Sequence, residues 1–227
     1  MTGGHRHEDR TTERFRDLVQ SRVRPGLDEL GFDQRMPGML AARARRGVVW
    51  LLDLDVAPWS TRQKVCFTVA WGVHVPGVEA ALGDPRPERF EIGDCLVSGR
   101  IGTRDDRLDP HWYELRALPR PVAAVADASL ANHVLGAVTN EVLPVLEGLV
   151  TPTAVQAHLH GCLVSGRGAP PPDELRTIRR IAALSLLLGD RANAARWLDH
   201  LEARSAATIA PDVVAERLAP LRERLAS

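Results

Sequence analysis

Lysine is nearly missing from this 227-residue chain: Lys64 is its only one, and arginine carries the rest of the positive charge. Aromatic residues make up 4%, with a single tyrosine, so valine, leucine and alanine must fill most of any core. Basic and acidic residues balance at 29 each. That removes the overall basic excess through which proteins neutralise phosphates, and argues against nucleic acid as a partner. The natural local candidate for a basic patch is Arg43, Arg45 and Arg46. Cysteines are few and odd in number, Cys66, Cys95 and Cys162, with no paired spacing. This excludes a disulfide framework and suits a reducing compartment. The opening MTGGHRHEDR has no apolar core of a signal peptide. No uninterrupted stretch of about 18 apolar residues is present, so neither secretion nor a membrane span is expected. The expectation is a cytoplasmic protein.

Nucleotide and hydrolase motifs are missing as well. The chain has no phosphate-binding loop, no G-x-G-x-x-G after a strand, no H-E-x-x-H and no G-x-S-x-G. No cofactor is called for.

What remains is 44% hydrophobic and 26% charged, an ordinary globular balance. After a polar tail over 1–10, Phe15, Leu18, Val19, Val23, Leu27 and Leu30 recur at helical spacing. Thr11 or Thr12 would cap that helix, Pro25 would kink it, and Gly31 followed by Phe32 would end it. Three strands are expected next: a weak one over 38–45 closed by Arg46-Gly47, GVVWLLDLDV over 47–56, and 65–75. In the last, valines and aromatics alternate with Cys66, Thr68, Ala70, Gly72 and His74, which predicts one face on the core. The short connections favour antiparallel pairing. A helical turn is expected at VEAAL, a fourth strand within 94–102, and a charged turn over 105–110. A long helix should run from about Asp127 to Leu149, followed by a short one that Thr151 or Thr153 caps and Gly161 ends.

The stretch 161–172, with glycines and three consecutive prolines, reads as a linker. Three helices should follow, over 173–188, 191–204 and from Pro211, the first two resembling a tetratricopeptide-style hairpin. The fold class is thus α+β: an antiparallel sheet of about four strands packed by helices over 11–160, then a helical appendage over 173–227.

The order of LDELGF, VVWLLDLDVAPWS, VCFTVAWGVHVPG, DCLVSGRIG, HWYEL and LPVLE, from Phe15 to about His160, resembles the bacterial domain-of-unknown-function family 4304. The resemblance implies an α+β domain with an antiparallel sheet and no established activity. Trp59, Ser60, Thr68, Cys95, Arg100 and Trp112 agree with its pattern. Asp55, Ala57 and Ala70 depart from it, standing where a Gln, a Ser and an Asn are expected.

Two constellations could carry chemistry. Asp53 and Asp55, two apart on a strand, share one face and could bind a metal or divide acid and base roles; a solvated strand end reads the same way. Arg100 with Trp112 could form an anion or stacking site, with Trp59 as a further binding candidate. Equally, Trp112 could anchor the long helix while Arg100 pairs with a local carboxylate. A weaker candidate is His158, His160 and Cys162. On a helix, His158 and Cys162 lie one turn apart and His160 points elsewhere, so a metal site needs a rearrangement near Gly161. Cys95 reads as a buried structural thiol. The function expected from all this is a cytoplasmic protein-interaction or binding module. The alternative is a small-molecule or metal-dependent enzyme built on Asp53, Asp55, Arg100 and Trp112. The sequence fixes no oligomeric state.

Overall fold

The computed structural model describes residues 10–84, 88–102, 110–164, 171–205 and 211–227. The chain folds as an N-terminal helical segment, an antiparallel sheet and a C-terminal run of helices. The strands are β1 (Ala41–Arg45), β2 (Val48–Val56), β3 (Lys64–His74), β4 (Val97–Arg100) and β5 (Tyr113–Arg116). Their order is β1-β2-β3-β4, with β5 also on β3. Arg46 and Gly47 turn β1 into β2, both at positive φ (34° and 91°), the two-residue geometry that matches strand twist.

β5 was not expected. It spans only four residues, Tyr113 and Leu115 buried and Glu114 and Arg116 exposed, an alternation too short to mark a strand by itself beside a proline-broken segment. It pairs antiparallel with the start of β3, Lys64 opposite Arg116 and Phe67 opposite Tyr113. β4 uses the same edge of β3 further along, where Ile101 N–H donates to Val69 O at 3.0 Å and Leu96 N–H to Val73 O at 2.9 Å. One long strand therefore has two short partners in succession. The expectation of a single buried face on β3 also needs correction, because Cys66, Thr68, Ala70, Gly72 and His74 are buried too.

By compactness the chain divides into two units, Met1–Arg43, Leu51–Trp71 and Ser98–Val145 in one, Ala44–Trp50, Gly72–Val97 and Leu146–Ser227 in the other. In the first unit, α1 (Arg10–Leu18) lays Phe15 on Phe67, ring centroids 5.0 Å apart, and Phe67 stacks on Tyr113 at 5.4 Å. Thr11 lies inside α1, and its hydroxyl donates to the Arg62 carbonyl at 2.8 Å. A wide π turn, Val19–Val23, links α1 to α2 (Arg24–Glu29). Gly31, at φ 83°, closes α2 as expected: its N–H bonds Asp28 O, and Phe32 N–H reaches back to Leu27 O, both at 2.9 Å.

The long helix starts earlier than expected, as α4 (Arg120–Ala137), after α3 (Val78–Leu82). Pro121 does not delay it, because a first-turn proline gives up an N–H that has no partner there. A second π turn, Val138–Val142, leads into α5 (Leu143–Glu147). Both π turns stand one residue before a proline, Pro25 and Pro144. The wide turn replaces the tight i→i−4 ladder that a proline ring would clash with, so helix continues past each proline. Arg14 ties α1 to α4 by a salt bridge to Asp127 at 2.7 Å, both side chains 15% exposed. Contrary to the expectation from uninterrupted runs, Pro121–Glu147 is long and apolar enough to cross a membrane by length and composition. It has 27 residues and a window of mean hydropathy 1.3, reached through alanines spaced among the larger apolar residues.

In the second unit, α6 (Pro152–Val164) is capped by Thr151, whose Oγ1 accepts from Ala154 N–H at 3.1 Å. Gly161 does not end it, since a lone glycine only weakens a helix. The linker expected at 161–172 is helix at both ends and otherwise lies outside the described residues, as do 105–109 of the expected charged turn and 1–9 of the tail. α7 (Pro171–Leu187) and α8 (Arg191–Ser205) form the hairpin, with Gly189 at φ 75° and Asp190 capping Asn193 N–H at 3.0 Å. α9 (Pro211–Ala226) completes this unit.

Candidate functional site

Parity along the strands gathers most of the candidate residues on one sheet face of the first unit. The Ala57 N–H donates to Cys66 O at 2.8 Å. Carried back along antiparallel β2, this pairing sets Asp55 beside Thr68 and Asp53 beside Ala70. On the other side of β3, the register of β5 carried one residue past Tyr113 sets Trp112 beside Thr68.

Asp55 and Arg100 are joined by a salt bridge, the two side chains 38% and 50% exposed. Since β3 lies between β2 and β4, this ion pair crosses the face of β3. Only short side chains fit beneath it, and Thr68 and Ala70 supply them, both buried. The small residues of the second face of β3 are thus the space in which a polar bridge lies. Arg100 takes the local carboxylate that the structural alternative required, whereas Trp112 meets Trp59 edge-on, centroids 4.8 Å apart. Trp59 is 55% exposed. Asp53 is half-buried on the same face. Among the described residues, no group of three His, Cys, Asp or Glu side chains is placed to hold a metal ion.

One feature of this face escaped sequence reasoning. The Thr68 hydroxyl is fully buried and has no hydrogen-bond partner among the described residues. Leaving a buried hydroxyl unpaired costs about 1–3 kcal/mol. Threonine is ordinary in strands, and nothing in the alternation of β3 marks this one out. Nearby, Ser60 clamps Cys66: its Oγ accepts from Cys66 N–H at 3.0 Å and donates to Cys66 O at 3.2 Å. Glu114 lies between Arg116 (2.7 Å) and Lys64 (3.1 Å); their hydrogen bonds hold its carboxyl below the usual range, Arg116 contributing most.

The remaining candidates lie elsewhere. His158 and Cys162 do meet on α6, Nε2 to Sγ 3.6 Å, and burial lowers the pKa of His158. His160 instead lies against Trp197, 5.5 Å away. The H-x-H-x-C spacing therefore brings two of its three side chains together. Cys95 is 1% exposed and its thiol is pushed up to about 12, chiefly by burial, which leaves it protonated and poorly nucleophilic at neutral pH. Its Cβ lies where a side chain on Gly72 would have to go, 2.8 Å from an added methyl. Of the arginine cluster, Arg43 donates to Leu30 O at 2.8 Å and Arg45 lies over Trp50 at 5.7 Å.

The class that fold and site define is an α+β protein with an antiparallel sheet that carries a polar, tryptophan-flanked face. No family model matches the chain, and no match is found among curated proteins or among solved structures.

Proposed function

We propose that this chain is a cytoplasmic protein-interaction module that engages its partner through the sheet face bearing Trp59, Trp112, Asp55 and Arg100. One observation carries the reading: a largely exposed tryptophan is held in place by a second one, beside a solvent-accessible arginine ion pair. Tryptophan and arginine are the residues that dominate protein–protein hot spots, and a tryptophan fixed by a neighbour loses little rotamer freedom on binding. Nucleic acid suits this chain less, since Arg43 and Arg45 are occupied by Leu30 and Trp50. The resemblance to the family of unknown function adds no activity of its own. Native mass spectrometry of protein purified from its own host tests the reading. The expected result is a stoichiometric protein partner on the wild type that Trp59→Ala releases without altering the circular dichroism spectrum. A wild-type chain that holds no partner under mild conditions overturns it.

The buried, unpaired hydroxyl of Thr68 favours a second reading, a small-molecule or metal-dependent enzyme using Asp53, Asp55, Arg100 and Trp112. A ligand entering between the ion pair and Trp112 would give that hydroxyl its missing partner. In that case Thr68→Val abolishes ligand-induced thermal stabilisation, while Trp59→Ala leaves it in place.

A further inference from the structure

Within the second unit, a groove of about 460 Å³ opens between α6, α7 and α8. Its volume falls within the roughly 300–1,000 Å³ of small-molecule sites. The fully buried Ile178 lines it from α7, Leu163 adds apolar surface from α6, and Trp197 lines it from α8. Trp197 is flanked by His160 at 5.5 Å and His200 at 5.7 Å, both edge-on to the indole.

The charges around this groove are unevenly committed. Glu174, the one carboxylate among its described lining residues, is held by Arg204, whose Nη2 lies 2.8 Å from both carboxylate oxygens. Arg196 spends a single donor on a neutral acceptor, Asn193 Oδ1, at 3.2 Å. Among the described residues no hydrogen bond engages the imidazole of His160 or His200. A guanidinium with spare donors and two uncommitted imidazoles thus surround an apolar, aromatic wall, while the single acid is already neutralised.

We propose that this groove binds a small carboxylate with a flat apolar body. The body lies against Trp197 and the aliphatic side chains. The carboxylate takes paired hydrogen bonds from Arg196, the geometry in which guanidinium and carboxylate fit best, with the imidazoles as further donors. Glu174 excludes a cationic ligand only weakly because Arg204 cancels it, so the anion preference comes from Arg196 and the histidines. This site is independent of the sheet face and of the function proposed for it.

The test uses the full-length, ¹⁵N-labelled chain and two probes with the same ring system, 2-naphthoate and the uncharged 2-naphthylmethanol. The indole N–H resonance of Trp197, assigned from its loss in Trp197→Phe, reports occupancy. The expected result is saturable movement of that resonance, with naphthoate binding roughly tenfold tighter than the alcohol, the effect of one charge-assisted pair. Arg196→Gln should remove most of the preference for naphthoate, and because Arg196 is exposed its fold should be untouched. His160→Gln with His200→Gln should weaken naphthoate while sparing the alcohol. An unmoved Trp197 resonance overturns the proposal. So do equal affinities for the two probes in the wild type, which would make the groove an apolar dock, and a preference undiminished by Arg196→Gln.

Discussion

Asp55 on β2 reaches Arg100 on β4 across the intervening strand, directly over Thr68 and Ala70. The bridge itself is a surface ion pair, so Asp55→Asn should cost less than about 1 kcal/mol in urea unfolding. Ala70→Leu is the harsher change, because it fills the space the bridge crosses. It should cost about 1–3 kcal/mol, and most of that cost should persist in an Asp55→Asn background. A loss confined to the background that retains Asp55 would mean that leucine clashes with the bridge alone.

Thr68→Val should stabilise the chain by about 1 kcal/mol, because it replaces an unpaired buried hydroxyl with a methyl of the same shape. The urea midpoint at unchanged slope measures it. A destabilisation of similar size would show that the hydroxyl has a partner in solution.

Gly72→Ala should be severely destabilising, by several times the cost of an ordinary surface change. An added methyl would lie 2.8 Å from Cys95 Cβ and closer still to Sγ. Cys95→Ala in the same chain should recover part of the loss, and the double-mutant cycle gives the coupling.

Alkaline pH should unfold the protein earlier than its neutral stability suggests. Cys95 and Tyr113, ordinarily near 9.0 and 10.0, are each pushed up to about 12, mainly by burial. Between those values the folded chain keeps protons that the unfolded chain releases, so stability is intact below pH 9 and falls as pH rises toward 12. The slope is about 1.4 kcal/mol per pH unit for each group. Urea midpoints at pH 8, 9 and 10 check it, and Cys95→Ala should flatten the drop between 9 and 10.

Much of this architecture was legible because it is written in local periods. The alternation of Val65, Phe67, Val69, Trp71 and Val73 makes β3 a strand, and Gly31 with Phe32 marks the end of α2. β5 was not legible, because Tyr113–Arg116 alternates over only four residues beside prolines, too few to mark a strand, and its place is set by Phe67 opposite Tyr113. The site was legible only in parts. The pairing of two and two on a strand placed Asp53 and Asp55 together, but the bond from Asp55 to Arg100 spans 45 residues and depends on strand order. Trp59 and Trp112 were each visible as candidates, while their contact was not, since no period links a turn after β2 to the residue before β5. The groove at Trp197 needs three helices to exist, and no segment of sequence carries it alone.

The two prolines that follow wide turns have a consequence for phase. Val19, Val23 and Leu27 are buried at strict four-residue steps, as are Val134, Val138 and Val142. In a helix of 3.6 residues per turn each such step advances about 40°, and two steps would carry the third residue well round the cylinder. The slower winding of the π turns takes up this excess and keeps each trio in one stripe. The spacing and the winding are therefore matched: a mutation that let either helix relax to regular α geometry would swing its third apolar residue out of line without changing a single side chain.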